Sequence, residues 1–446
     1  MSEHGRVQDP GDRYVIISSD CHAGADILGY KPYLERKWYD EFESWAASFH
    51  DPWEDMLGST REDMLGNGQA AEDVNFGLAS RDSSLNWDGR RRTEVLEADG
   101  IAAEVLFPNT APPFFPAGVF SVSVPRTPAE YERRWAGLRA HNRWMAEFAA
   151  DAPGRRAGLA QVFLNDIDDA VAEIRWAKEA GLRGVLIPSD NVVTVPLYYP
   201  RLDPIWQVCE ELELPVHRHT SFPSDSASKE NGAAPPMIGL LEVEFFTQRG
   251  LAHLMFSGVF DRFPGLKFVM TEGGCAWIVN YLNQLDALYE IAHQPGTVPN
   301  RFAHQAVRAM SWKPSEYFRT NCFLGASLMT KQECALRHNI GLGTIMWGSD
   351  LPHLEGTYPY TRQALQAVFS DVPPDEVQMM LGTNAAGVYG LDMKFLQGIA
   401  NRIGPTVESV RTPLTVWPRT PEETIHPGLA PAAIPGYGDL ADPAKV

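Results

Sequence analysis

The sequence lacks any uninterrupted apolar run near the ~18 residues a membrane helix requires, so no membrane partner is expected. Its first residues, MSEHGRVQDPGDRY, have no apolar stretch of the signal-peptide kind. Cysteine is sparse. The five present (Cys21, Cys209, Cys275, Cys322, Cys334) are odd in number and form no C-x-x-C pair. That pattern argues against a disulfide framework and makes a reducing cytoplasm the expected compartment. Positive charge is also short, with 38 Lys and Arg against 57 Asp and Glu for a formal net charge of −19. Nucleic-acid binding rests on neutralising phosphates with a basic surface, so nucleic acid is not an expected partner. What is plentiful is apolar residues, at 44% of 446, enough for a large core.

Short apolar runs rich in β-branched residues alternate with amphipathic stretches. The strand-like runs are Tyr14–Ser19, Ala103–Pro108, Gly158–Phe163, Gly184–Pro188, Leu214–His219, Lys267–Thr271, Phe318–Phe323 and Thr344–Ser349. Between them lie helical patterns such as Asp166–Ala180, with Asp166 as a cap, carboxylates at the positive end of the helix dipole and Gly181 as a stop. Apolar strands alternating with helices imply a parallel sheet covered by helices. Eight such units favour an α/β (β/α)₈ TIM barrel, a fold of about 250 residues that tolerates long insertions. Two segments break the rhythm. Residues 23–86 form a long insertion after the first strand, rich in Trp, Asp and Glu, and the chain from Met393 loses periodicity and accumulates prolines. The expected organisation is an N-terminal tail over 1–13, a barrel over 14–392 and a proline-rich extension over 393–446.

Reactive groups of parallel barrels sit at the carboxyl ends of the strands. Asp20 and His22 follow the first strand as D-x-H, His217 and His219 close the fifth, Glu272 closes the sixth, and Asp350 closes the eighth within GSDLPH. A single strand-end Asp is commonly a helix cap, and a single His commonly a structural hydrogen-bonding group. Recurrence of Asp, His and Glu after four apolar strands instead fits the donor chemistry of one or two divalent ions, zinc, iron or manganese.

These motifs resemble a known family. SSDCH, LPVHRHT, DRFPGLKFVMTEGG and MWGSDLPHLEGT, in that order between Tyr14 and Leu391, are similar to those of the amidohydrolase superfamily. The similar branch contains aminocarboxymuconate semialdehyde decarboxylase and γ-resorcylate decarboxylase. The resemblance implies a metal-binding (β/α)₈ barrel. It implies that Asp20, His22 and His219 are ligands and that Asp350 is both ligand and acid/base. Two departures stand out. The first-strand pair is Asp-x-His where the family often has His-x-His or Glu-x-His, and Glu272 stands where the characterised decarboxylases carry a catalytic histidine.

The second departure weighs against decarboxylation, so the first expectation is a metal-dependent hydrolase. A metal lowers the pKa of bound water toward about 7. Asp350 then serves as general base and general acid, Glu272 as bridging ligand or second base, and His353 as a further catalytic group. The expected substrate is a small hydrophobic acyl compound: an ester, thioester (an acyl-coenzyme A included), lactone or amide. The alternative is non-oxidative decarboxylation of an aromatic or enoic acid. His217 and Glu355 are candidate substrate contacts. Phe107, Phe114 and Phe115, in the stiff loop FPNTAPPFFPAGVF, either line an apolar pocket or pack against the insertion. The run Arg90-Arg91-Arg92 is either a solvated helix face or a grip for a phosphate-bearing substrate. A homo-oligomer is within expectation. Ser226–Lys229 (S-x-x-K) and Gly66–Gly68 lack the partners their motifs need.

Overall fold

The computed structural model describes residues 9, 11–49, 83–116, 124–189, 195–220, 234–353 and 356–415. Eight parallel strands follow one another in chain order: β1 Ile17–Ala23, β2 Ala103–Pro108, β3 Arg156–Gln161, β4 Gly184–Leu186, β5 Val216–His219, β6 Phe268–Thr271, β7 Cys322–Ser327 and β8 Ile345–Gly348. Each pairs in parallel with the next. The ring closes through backbone bonds beyond β8: Asp350 N–H donates to Asp20 O at 2.9 Å, and His22 N–H donates to Leu351 O at 2.7 Å. Helices separate the strands, so the expected TIM barrel is the observed fold.

The strand interiors are apolar for the reason the composition suggested. Ile17, Val105, Phe107, Leu159, Val269 and Met346 form one buried cluster. A larger one joins the strands to the surrounding helices through residues such as Leu106, Val185, Ile205, Trp206, Phe268 and Leu324. Among the described residues no helix is long and apolar enough to cross a membrane.

Two strands differ from their expected positions by three residues or more, and the third is shifted by two, to Arg156–Gln161. The first runs to Ala23, so Asp20 and His22 lie within it. The seventh starts four residues later than expected. Pro314–Asn321 is a helix opened by Pro314, and Asn321 donates its amide to Pro264 O and Leu266 O, both at 2.9 Å. The strand therefore ends at Ser327 rather than Phe323. The chain beyond Met393 also differs. Met393–Ile403 is a helix capped by Asp392 and buries Leu396, Ile399 and Ala400, a spacing of one helical face. A short helix, Val407–Arg411, follows, and residues 416–446 lie outside the described ones. Of the insertion, Ile27–Tyr33, Tyr39–Ser48 and Ser83–Asn86 are helical, while 50–82 lies outside.

Candidate metal centre

The pairings of β1 with β2 explain how Asp20 comes to face inward. Ser18 pairs with Glu104 and Cys21 with Leu106, so β1 takes three steps where β2 takes two. This is a β-bulge, the device by which a strand re-aims a side chain. Ile17 pairs with Ala103 and His22 with Phe107. Ile17 and His22 thus share a face although five residues apart, which a regular period of two forbids. Asp20 then shares that inner face with His22. Gly348 leaves room for it: a Cβ there would lie 2.7 Å from both Asp20 Cβ and Ser327 Oγ.

β5 brings His219, and the turns after β6 and β8 bring Glu272 and Asp350. Both carboxylate residues adopt left-handed backbone, with φ 62° and 59°, a conformation rare for residues with a Cβ. The side chains converge. His22 Nε2 is 3.3 Å from Asp20 Oδ1 and 3.2 Å from Asp350 Oδ1. His219 Nε2 is 3.4 Å from Asp20 Oδ1 and 3.2 Å from Glu272 Oε2. Asp20, His22, His219 and Glu272 form one set with all donor atoms within 4.8 Å, and His22, Asp350 and His353 another.

The hydrogen bonds around the set orient it for a cation. Each of the two imidazoles has its Nδ1 at a carbonyl: His22 at Pro108 O (3.3 Å) and His219 at Thr220 O (2.7 Å). A carbonyl accepts only, so Nδ1 carries the hydrogen and Nε2 presents its lone pair inward, as ligating histidines do. His22 Nε2, His219 Nε2, Asp20 Oδ1 and both Asp350 oxygens are buried without hydrogen-bond partners. Such orphans are costly, and together they fit a buried cation. The charge balance agrees. Burial alone would raise the Asp20 carboxyl, but His219 and His22 hold it far below the carboxylate range. Burial would depress His22, yet Asp20 and Asp350 raise its affinity for a proton well above normal. Asp350 resists its burial through His353 and His22 and stays below its ordinary value. An attraction this strong for a proton is an attraction for positive charge.

Of the other expected residues, His353 joins the centre, with Nδ1 2.9 Å from Asp350 Oδ1 and Nε2 3.0 Å from Asn109 Oδ1. Phe107 walls the site, its ring centroid 4.7 Å from that of His219. His217 lies on the same face of β5 but is occupied, between Val185 O (3.3 Å) and Tyr389 OH (3.0 Å). Burial pushes its pKa down to about 3. Phe114 packs on Trp38, Phe42 and Trp45 of the insertion, and Phe115 on Phe163 and the Arg134 guanidinium. Glu355, Gly66–Gly68 and Ser226–Lys229 lie outside the described residues. The arginine run divides. Arg90 is exposed and pairs with Glu94 at 3.1 Å, whereas Arg92 is fully buried against Glu104 at 2.8 Å. For Arg92 neither the solvated face nor the phosphate grip holds, because its fork is spent on protein acceptors.

Two contributors were not anticipated. Ser327 Oγ donates to Asp20 Oδ2, and Asn109 holds His353. The signal was position alone: Ser327 ends a strand and Asn109 directly follows one, the layer where barrel chemistry gathers.

Comparisons with known proteins fit this geometry. Residues 52–391 match the family described as amidohydrolase, a stretch holding β2 to β8 with Glu272 and Asp350. A γ-resorcylate decarboxylase from Rhodococcus jostii (strain RHA1) is 31% identical over 253 residues, 52% of this chain and 72% of the relative. A γ-resorcylate decarboxylase from Polaromonas sp. (strain JS666) is 28% identical over 275 residues, 59% and 76% respectively. The 5-carboxyvanillate decarboxylase of Novosphingobium aromaticivorans, solved with manganese and 4-hydroxy-3-methoxy-5-nitrobenzoic acid, shares the fold with a TM-score of 0.56. It is 19% identical, with 86% of this chain and 100% of that one covered. These relatives are decarboxylases, which overturns the expected hydrolase, its thioesterase form and its hydrophobic acyl substrate. The glutamate that weighed toward hydrolysis sits 3.2 Å from His219 within the donor set, so it does not displace that position from the centre. Manganese was one of three metals expected; zinc and iron gain no support. The fold, the converging donors and the match over most of the sequence lead to one assignment: this chain is an enzyme of the amidohydrolase family.

Proposed function

We propose that the chain catalyses metal-dependent, non-oxidative decarboxylation of a small aromatic or enoic acid, with manganese as the working metal. The observation that carries this reading is the inward-facing, hydrogen-bond-deprived donor set of Asp20, His22, His219 and Asp350, in a chain related to decarboxylases. Those four residues would hold the ion, with Glu272 as a further oxygen donor. A bound divalent ion supplies positive charge that binds and orients the anionic acid.

Loss of carbon dioxide replaces a C–C bond with a C–H bond. The carbon bearing the carboxylate takes up one proton, the C–C bond breaks, and its electron pair is left with the protonated product. The protein must deliver that proton. His353 stands beside Asp350, its Nδ1 2.9 Å from Asp350 Oδ1 and its Nε2 3.0 Å from Asn109 Oδ1. Asp350 would pass the proton to the substrate carbon at the mouth of the barrel. Phe107 offers an apolar face beside His219 for an unsaturated ring.

Run in deuterium oxide with manganese and a hydroxybenzoic acid, the reaction should yield product with one deuterium at the carbon that lost the carboxylate. Asp350→Asn should slow carbon dioxide release by roughly 10²–10⁴-fold. Near-normal release from that variant would remove Asp350 from the proton path.

A further inference from the structure

The third arginine of the Arg90–Arg92 run takes no part in the surface its neighbours share. It begins in the helix Gly89–Asp99 and runs fully buried to the ligand-bearing strand ends. Its Nη1 donates to His22 O at 2.8 Å and to Leu85 O at 2.7 Å. Its Nη2 reaches Leu351 O at 3.4 Å and Glu104 Oε2 at 2.8 Å, and its Nε donates to the Glu104 carboxylate at 2.9 and 3.0 Å. Glu104 is steadied in turn by Arg156 at 3.3 Å.

Two of these acceptors belong to the metal centre's own backbone: His22 itself and the residue after Asp350. The same pair is already joined by His22 N–H to Leu351 O at 2.7 Å. Leu85 adds the end of the insertion. One planar fork thus ties together β1, the turn after β8 and the helix Ser83–Asn86, and a carboxylate from β2 fixes the fork. Resting on the metal-centre reading above, we propose that Arg92 is a positioning residue for that centre. It sets the separation and aim of His22 and Asp350 through their backbone, without touching ion or substrate. A lysine keeps the charge against Glu104 but has one nitrogen in place of three, and so cannot serve all these acceptors.

The test is manganese affinity, measured by titrating Mn²⁺ into chelator-treated protein well below its melting temperature, beside the melting temperature of the metal-free form. Arg92→Lys should weaken Mn²⁺ binding about 10-fold or more, within the range seen when residues supporting metal ligands are lost, while the metal-free form melts lower, for the acceptors left unpaired, yet stays folded at the titration temperature. The double variant R92Q/E104Q removes the Arg92–Glu104 ion pair as a whole and should show the same loss if the lysine variant does not fold. A folded variant of either kind with wild-type Mn²⁺ affinity would overturn the positioning role. Wild-type protein that takes up no Mn²⁺ would instead overturn the metal centre on which it rests.

Discussion

Glu272 and Asp350 hold a backbone conformation that costs a residue with a Cβ about 1–3 kcal/mol, at φ 62° and 59°. Two such residues, one in each of the two donor sets that share His22, fit a fold that yields stability to aim carboxylates into the barrel mouth. The trade can be separated by substitution. Glu272→Gly removes the carboxylate and the strain together, since glycine accepts positive φ freely. Its metal-free form should melt at or above the wild-type temperature while its Mn²⁺ affinity falls; a lower melting temperature with unchanged affinity would show that Glu272 serves the fold alone. The donor residues were the most legible part of the sequence, because an Asp, Glu or His ending an apolar run stands out. Their supports were not. Ser327 and Asn109 are ordinary polar residues whose roles depend on which strand end faces which, and Arg92 sits in a charge run that reads as a solvated face or a phosphate grip.

At the scale of elements, the bulge in β1 decides the site. Without its extra residue, Asp20 and His22 would turn outward and the donor set would lose two members. The bulge is steadied by contacts that need specific neighbours: Ser18 Oγ lies 2.9 Å from Ser349 Oγ and accepts from Ser349 N–H at 2.8 Å, and Ser19 Oγ donates to Met346 O at 2.8 Å. β8 must approach closely, which explains Gly348. Gly348→Ala should destabilise the protein by about 1–3 kcal/mol through overpacking and should also weaken Mn²⁺ binding by pushing Asp20 aside. Unchanged affinity in a destabilised variant would place Asp20 outside the ion's coordination. Strand and helix alternation was readable throughout. Bulges and strand ends were not, because they are set by pairing between segments: β7 began late since Phe318–Asn321 completes a helix, and Met393–Ile403 formed one since its apolar positions recur at helical spacing beneath a proline-rich impression.

The whole molecule carries buried histidines that acid should expose. His141, on the long helix Pro128–Ala150, accepts or donates at Tyr30 OH at 2.8 Å, joining the insertion to the barrel wall. Burial alone lowers its pKa to about 3, against about 6.5 in an unfolded chain. Between those values the unfolded state binds more protons, so stability is whole above about pH 6.5 and declines as pH falls toward 3. The melting temperature should drop more steeply over pH 6.5 to 4 in wild type than in His141→Gln; parallel slopes would mean that His141 is not held neutral in the fold.

The central claim, a decarboxylase that needs its metal centre, is tested most directly by measuring carbon dioxide from a panel of hydroxybenzoic and enoic acids before chelation, after chelation and after return of Mn²⁺. Release equal to the acid consumed, lost on chelation and restored by manganese, is the expected result. Carbon dioxide release that survives complete metal removal, or Mn²⁺-loaded protein that leaves every acid intact, would contradict it.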